Sequence, residues 1–226
     1  MELFLSPFFP LIVFLAFLPS VDSPDVVIVG ENHTDTQDHR KQLEVIRDIY
    51  LKDRRVIIAM EMFQQPFQEH LDRYIENKIG EDELLEETEY KKRWGYDFSL
   101  YRDILNFARE SRIKVVAINV PSELLKEVKE KGLDKISSDY LPKERLTYNK
   151  KELDFIYSSM EGHSIKDSKK FLEVQYSWDA GMAYKIVKLK KEFPDYKIVV
   201  LIGKGHSETV SRFIRVLSKD IKVVVY

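Results

Sequence analysis

Cysteine is absent from the chain, and its absence removes several kinds of chemistry at once. Without a thiol there is no disulfide, no thiolate metal ligand and no cysteine nucleophile. Attachment of a lipid through an N-terminal cysteine is excluded for the same reason. We therefore expect that the protein is not a cysteine-anchored lipoprotein, and that any metal ligand is a nitrogen or an oxygen atom.

Three common catalytic motifs are missing as well. The chain has neither a His-Glu-x-x-His zinc motif nor the Gly-x-Ser-x-Gly elbow of serine hydrolases. Residues 203–207, GKGHS, resemble a phosphate-binding loop but lack its spacing between the first glycine and Gly-Lys. Their glycines are better explained by a sharp turn or by close approach of the backbone to a ligand, and the amides of the following helix would favour an anionic group.

Neither sign of charge dominates, because 36 Lys and Arg residues face 38 Asp and Glu residues. A net charge of -2 gives no electrostatic reason to expect a nucleic acid partner. With 226 residues, 44% of them hydrophobic, the chain is long enough for one well-filled domain. No repeat or low-complexity linker interrupts it, so residues 24–226 are predicted to form a single α/β domain.

The N-terminal segment, residues 1–23, differs from the rest in composition. Residues 3–19 are apolar and uncharged, but Pro7, Pro10 and Pro19 disfavour a continuous membrane-spanning helix. The length fits a signal peptide, although Glu2 stands where a basic residue is usual and the cleavage site is poor. The alternative is an apolar segment that packs on the body or associates with a membrane. We expect the cell envelope, exported or membrane-associated, rather than the cytoplasm.

Two similar stretches near opposite ends of the chain carry the strongest pattern. Val26–Val29 is a short β-branched run that ends at Gly30 and leads into Glu31 and His33. Ile198–Ile202 leads in the same way into a predicted glycine loop that ends at His206. Further strands are predicted at 55–60, 113–118 and 221–226, and helices at 37–51, 122–131, 168–192 and 208–217, with several short helices at 66–108 and an irregular lid or subdomain at 133–167.

Alternating strands and helices with continuously apolar strands predict a three-layer α/β/α fold, with a mainly parallel sheet and a helical insertion. Ligands of such sheets bind at the carboxyl ends of the strands. Residues from four different strands are predicted to meet there: Glu31, His33, Glu61, Asn119 and His206. Because two imidazoles and two carboxylates would perturb one another's pKa values, a metal, a proton or a ligand is expected to compensate.

An aromatic segment is the second candidate site. Its rings lie within eight residues and two arginines flank them, which fits either ordinary core packing or stacking on a flat apolar ligand. Tyrosinate is a known ligand of ferric haem, and arginine pairs well with propionates. The segment comprises Arg93, Trp94, Tyr96, Phe98, Tyr101 and Arg102.

The sequence resembles the ChaN family within the erythromycin-esterase, ChaN and Tiki superfamily. The similar motifs occur in family order across about residues 25–210: GENH at 30–33, AMEMFQ at 59–64, RWGYD at 93–97, LY at 100–101, AINVP at 117–121, WD at 178–179, MA at 182–183 and GKGH at 203–206.

The resemblance implies an α/β/α fold and, for ChaN, haem bound by a tyrosine at a homodimer interface in iron acquisition. It also implies an outer-membrane receptor as partner and a cysteine anchor, which this chain lacks. Haem is therefore the expected cofactor, with Tyr96 or Tyr101 as iron ligand and with Trp94 and Arg93 beside it.

The Tiki and esterase branches imply a different use of the same chain. There, His33, His206, Glu31 and Glu61 would hold a divalent Zn, Mn or Fe ion, and a remaining carboxylate would activate water in a metal-dependent hydrolase. A third interpretation makes the polar cluster purely structural.

Overall fold

The computed structural model describes residues 23–160 and 167–226. Its centre is a five-stranded sheet, all parallel, in the order β3-β2-β4-β1-β5. The α/β prediction is therefore confirmed, with an entirely parallel sheet in the described residues instead of a mainly parallel one. The strands are β1 (Val26–Glu31), β2 (Val56–Gln64), β3 (Lys114–Asn119), β4 (Lys197–Gly203) and β5 (Val223–Val225).

Helices cover both faces of this sheet. The predicted helices at 37–51 and 168–192 are found within one residue of those limits. The helices are α1 (Thr36–Lys52), α2 (Gln68–Ile75), α3 (Glu81–Glu87), α4 (Tyr90–Arg93), α5 (Ser99–Ser111), α6 (Ser122–Lys131), α7 (Lys150–Met160), α8 (Ser168–Glu192) and α9 (Lys204–Leu217), with short 3-10 turns at Gln65–Phe67 and Leu133–Lys135.

The β-branched runs explain why the sheet has two buried faces. In β1, Val26 and Ile28 pack into the core beneath α6, α8 and α9, whereas Val27 and Val29 pack into the core beneath α1, α2 and α5. Successive side chains of a strand point to opposite faces, so a continuously apolar strand serves both cores. Each fully buried Val or Ile contributes about 1.5–3 kcal/mol through the hydrophobic effect.

Three local predictions are wrong, namely the end of one strand, one loop and one helix cap. β2 does not end at Met60, because Met62 and Phe63 are also buried in the core, and the strand continues to Gln64 through a register irregularity. The predicted glycine loop at 203–206 is instead the end of β4 followed by the first turn of α9. Ser122 does not cap α6; its hydroxyl accepts a hydrogen bond from Gln64 Nε2 at 2.6 Å.

Gly181 lets α8 approach the end of β3 closely. A Cβ atom at this position would lie 2.2 Å from Cγ1 of Val120, which is far inside van der Waals contact. Any larger residue would therefore push α8 away from the sheet.

The order of the strands creates a crevice. Helices that follow β1 and β2 cover one face, whereas those that follow β3 and β4 cover the other, and β4 lies between β1 and β2. Such a switch in direction leaves a crevice at the carboxyl ends of the strands.

In residues 23–160 and 167–226, no helix is long and apolar enough to cross a membrane. The apolar residues 3–19 lie outside the described residues, as do residues 161–166 of the predicted lid.

Candidate functional site

Glu31, at the end of β1, is the best-connected carboxylate in the crevice. Only 1% of it is exposed, yet its Oε1 accepts hydrogen bonds from His33 Nδ1 at 2.9 Å and from the Tyr101 hydroxyl at 2.7 Å. Its Oε2 accepts from Gln42 Nε2 at 2.9 Å, and Nδ1 of the buried His39 lies 3.4 Å away. A buried carboxylate with this many donors is held in one orientation.

His33 is oriented by that carboxylate. Because Nδ1 donates to Glu31, Nε2 is the ring nitrogen left to face the crevice. The ring lies edge-on to Trp94 and tilted against Tyr96, with both centroids at 4.7 Å, and 25% of the side chain is exposed. On its other side is Gly203, where a Cβ atom would lie 2.9 Å from His33 Cε1. Glycine at the end of β4 is therefore what makes room for the imidazole.

Glu61 contacts the backbone at the end of β4 and faces His206. It lies within β2, only 4% exposed, and its Oε2 accepts a 2.7 Å hydrogen bond from the backbone N–H of Gly203. Its Oε1 lies 3.7 Å from Nε2 of His206. The N–H of Gly203 is thus bonded to Glu61, and the space that a Cβ atom of residue 203 would fill is next to the ring of His33.

His206 lies in the first turn of α9 and has a carboxylate partner of its own. Its Nδ1 is 2.6 Å from Oδ1 of Asp179, a residue of α8 that is only 2% exposed. The hydroxyl of Tyr148 donates to the other Asp179 oxygen at 2.7 Å. Burial alone would lower the pKa of His206, but the charge and hydrogen bond of Asp179, together with Glu61, raise that pKa to about 9.

The structure thus brings together four of the residues predicted from sequence: Glu31, His33, Glu61 and His206. Two of the aromatic residues, Trp94 and Tyr96, join them beside His33. Asn119 is buried at the end of β3, and its Oδ1 has no hydrogen-bond partner among the described residues.

Tyr101 does not fit its predicted role as an iron ligand. Its side chain has no exposed surface, and its hydroxyl donates to Glu31 while accepting from Trp94 Nε1 at 3.2 Å. Burial, followed by the nearby charge of Glu31, raises the pKa of the phenol far above its usual value. Tyr101 therefore supports the crevice through its bond to Glu31. A tyrosinate at this position would be repelled by the Glu31 carboxylate.

Arg93 does not fit its predicted role as a propionate partner. Its guanidinium bonds Glu123 and Glu89 and donates to Gln64 Oε1 at 2.8 Å, so only 12% of the side chain is exposed. It also lies over the ring of Phe67 at 4.8 Å. With its donors occupied, Arg93 fixes the start of the aromatic segment to β2 and α6.

A ready-made metal centre is not seen in the described residues. Within them, no group of three or more His, Asp or Glu side chains is arranged to hold a metal ion. The oxygens of Glu31 are bonded to protein donors, and both Nδ1 atoms of the crevice histidines face carboxylates.

Sequence reasoning missed the supporting residues. His39 and Gln42 share the buried face of α1 with Ile46, so helical spacing could have found them. For Asp179, the available signal is an ionisable residue among bulky apolar ones in the sequence of α8. Tyr148 lies in an irregular segment, and no local pattern indicates its contact.

Comparisons with known proteins show the family and the fold. The family model described as haem-binding uptake, Tiki superfamily, ChaN matches residues 17–211. A structure of Campylobacter jejuni ChaN, described with cofacial haem binding, is similar at a TM-score of 0.70 and 20% identity, covering 89% of this chain and 80% of that one.

Two more distant similarities were found. An erythromycin esterase, EreC, has a TM-score of 0.47 at 15% identity, covering 80% of this chain and 60% of the esterase. The chloroplastic protein RETICULATA-RELATED 5 of Arabidopsis thaliana is 26% identical over 119 residues. That match covers 50% of this chain but only 16% of the plant protein.

Proposed function

Because the chain belongs to the haem-binding uptake family of the Tiki superfamily, ChaN, we propose that it binds haem and serves iron acquisition. The observation that carries this proposal is the exposed ring of Tyr96, which lies against His33 at the mouth of the crevice. The C. jejuni relative, which shares the fold, is described as binding haem cofacially.

The residues at the crevice suit a haem. Tyr96 is 38% exposed, so its phenol is accessible in a way that the phenol of Tyr101 is not. Tyrosinate and imidazole are both established ligands of haem iron, and His33 Nε2 is the second candidate ligand. Trp94, half-buried beside Tyr96, adds an aromatic surface for a flat macrocycle. When bound, haem would supply the iron and an intense Soret absorption.

Hemin titration tests the proposal. Tyr96→Phe should shift or weaken the Soret band, whereas Tyr157→Phe, a change at an exposed tyrosine of α7, should leave it as in the wild type. A wild-type titration with only weak, featureless binding would remove the haem proposal. Equal spectra for the two variants would remove Tyr96 as the ligand.

A hydrolase is the second candidate, and the Glu31–His33 pair is the observation that favours it. An imidazole whose Nδ1 donates to a buried carboxylate is suited to accept a proton at Nε2 from water or a hydroxyl group. In the metal-dependent form, a Zn, Mn or Fe ion would be held by His33 and His206 with Glu31 or Glu61 after rearrangement of their present partners.

Metal analysis of protein purified without chelator tests that second candidate. About one equivalent of metal, lost in His33→Ala and His206→Ala, is expected if the site is a metal-dependent hydrolase. Sub-stoichiometric metal that these variants leave unaltered would contradict it. If the cluster is only structural, His33→Ala should lower the melting temperature and change neither metal content nor haem binding.

Location and assembly form a further part of the proposal. We propose export or membrane association from the apolar composition of residues 3–19, and a homodimer from the resemblance of the sequence motifs to ChaN. N-terminal sequencing of protein recovered from cell fractions tests the first. Light scattering with and without hemin tests the second, and a monomer in both conditions would contradict the dimer.

A further inference from the structure

The side-chain amide of Asn119, at the end of β3, is a buried polar group without a partner. Only 6% of the residue is exposed, and its Oδ1 is buried with no hydrogen-bond partner among the described residues. Its Nδ2 makes no hydrogen bond to those residues either. Because an unsatisfied buried amide costs stability, most buried polar groups in proteins are bonded, and an exception calls for an explanation.

The neighbouring strand carries an amide in the opposite condition. Gln64 of β2 pairs with Asn119 across the sheet, and both of its amide atoms are bonded. Its Nε2 donates to the hydroxyl of Ser122 at 2.6 Å, and its Oε1 accepts from Arg93 at 2.8 Å and from the N–H of Ser122 at 3.1 Å. The amide of Asn119 therefore has no partner at a point where its neighbour has three hydrogen bonds.

The aromatic segment places Asn119 next to the crevice. Arg93, the first residue of that segment, is bonded to Gln64, which is the register partner of Asn119. The next residue, Trp94, lies edge-on to the ring of His33 with centroids 4.7 Å apart. The segment thus runs from the ends of β2 and β3 to the end of β1, and a flat ligand on it extends in both directions.

Helix α8 gives the same position from the other side of the sheet. The ring of Trp178 lies 6.2 Å from that of His206. Gly181, three residues later on α8, packs against Val120, which follows Asn119 directly. Since three helical residues span about 4.5 Å, Asn119 and His206 line neighbouring parts of one crevice.

We propose that Asn119 binds a carboxylate of the ligand through a hydrogen bond donated by its Nδ2. The proposal rests on the proposed haem function, in which that carboxylate is a propionate. Of the two amide atoms, only Oδ1 is shut off from solvent, so Nδ2 is the one that a ligand oxygen can reach. An amide carries its N–H donors at every pH, and this role therefore needs no change of protonation.

The cationic side chains of this region already have carboxylate partners. Arg93 is bonded to Glu89 and Glu123. Lys204, at the start of α9, is bonded to both oxygens of Asp38, at 2.8 and 2.7 Å. A donor without a partner is what an incoming carboxylate requires, and a hydrogen bond to a charged group is stronger than one between neutral groups.

The test compares hemin with hemin dimethyl ester, which has the same iron and ring but no free carboxylate. In one detergent-containing buffer, the wild type should bind hemin about tenfold more tightly than the ester, the size expected for a hydrogen bond to one charged group. This preference should fall to about threefold or less in Asn119→Leu, which has a similar volume and no donor. Asn119→Asp, a charged acceptor, should bind the ester more tightly than hemin.

Stability is the second readout, because a structural role would change it in the opposite direction. Since the wild-type amide has no partner, Asn119→Leu should melt at the wild-type temperature or above it. A lower melting temperature with an unchanged preference for hemin would show that the amide is structural and would overturn the proposal. If Asn119→Leu does not fold, Asn119→Ala removes the same donor and should lose the same preference.

Two further variants separate the possible failures. Tyr96→Phe should weaken the binding of both porphyrins by a similar factor and so keep the preference. Asn106→Ala, on α5, should keep both affinities. If the wild type binds both porphyrins equally, the role of Asn119 is wrong while haem binding stands. If it binds neither, the proposed function itself is wrong.

Discussion

The hydroxyl of Tyr101 donates a 2.7 Å hydrogen bond to the carboxylate of Glu31, 70 positions earlier in the chain. This contact ties α5 to the end of β1 and holds Glu31 in position to orient His33. Tyr101 is therefore a supporting residue of the crevice. Removing its hydroxyl should lower the free energy of unfolding and leave the Soret spectrum of the hemin complex unchanged.

Tyr101→Phe tests that division of roles. The variant should unfold more easily by about 1–3 kcal/mol, because it removes a donor from a buried carboxylate. Chemical denaturation measures this difference, with Tyr157→Phe as the exposed control. The Soret band of the hemin complex should keep its wild-type position. Loss of that band with unchanged stability would contradict the supporting role.

Gly203→Ala should disturb the crevice directly. The added methyl group would lie 2.9 Å from His33 Cε1, so the imidazole must move, at a cost of about 1–3 kcal/mol. Weaker hemin binding is expected in the same titration. Gly205→Ala is the matched control, since its methyl group would meet only Phe155 at an ordinary 3.6 Å. Equal behaviour of the two variants would show that the space beside His33 is not critical.

The stability contributed by His206 should depend on pH. Its folded pKa, about 9, lies above the ordinary value of 6.5. The stabilisation from its charged ring is therefore fully present below the ordinary value and is lost as pH rises through about 9. The groups facing the ring are Asp179, Glu61 and, at 6.2 Å, the ring of Trp178.

Denaturation of the wild type and His206→Gln measures this dependence. The difference in unfolding free energy between them should be larger near about pH 6 than near about pH 10. NMR should show the His206 ring still protonated at about pH 8. A difference that grows with rising pH would mean that the ring is neutral in the folded protein.

Arg93→Gln should loosen the aromatic segment. The change removes the bonds to Glu89 and Glu123, and the expected loss of stability is about 1–2 kcal/mol after screening by solvent. Hydrogen exchange at Trp94–Tyr96 should become faster. Arg102→Gln, which removes a bidentate pair with Glu81 on the surface, is the control and should leave that exchange unchanged. Slow exchange in Arg93→Gln would contradict the anchoring role.

The architecture was predictable because its causes are local. β-branched runs such as Val26–Val29 show where buried strands lie, and parallel strands release their last residues at one edge of the sheet. That is why Glu31, His33 and His206 could be placed together from sequence. The sequence analysis missed that β2 continues beyond Glu61. This extension depends on the burial of Phe63 in the hydrophobic core, which the local sequence does not show.

The supporting residues depend on packing that no single stretch encodes. Asp179 precedes His206 by 27 positions, and their contact requires α8 and α9 to pack side by side. Tyr101 and Tyr96 lie five positions apart in one aromatic segment, and only the tertiary structure shows that one is buried while the other is accessible. Sequence spacing alone could not show that Tyr101 is a buried supporting residue and Tyr96 an accessible one.

Gly181 has an effect beyond packing. It lies two positions after Asp179, and its missing side chain sets how near α8 comes to the end of β3. Asp179 lies on the same helix, so the close packing of Gly181 against Val120 also sets how far the Asp179 carboxylate lies from the crevice. An apolar contact therefore helps to position the carboxylate that orients His206. Relatives with alanine or serine at this position should carry a wider crevice, and the bulk of that one residue could tune which ligands enter.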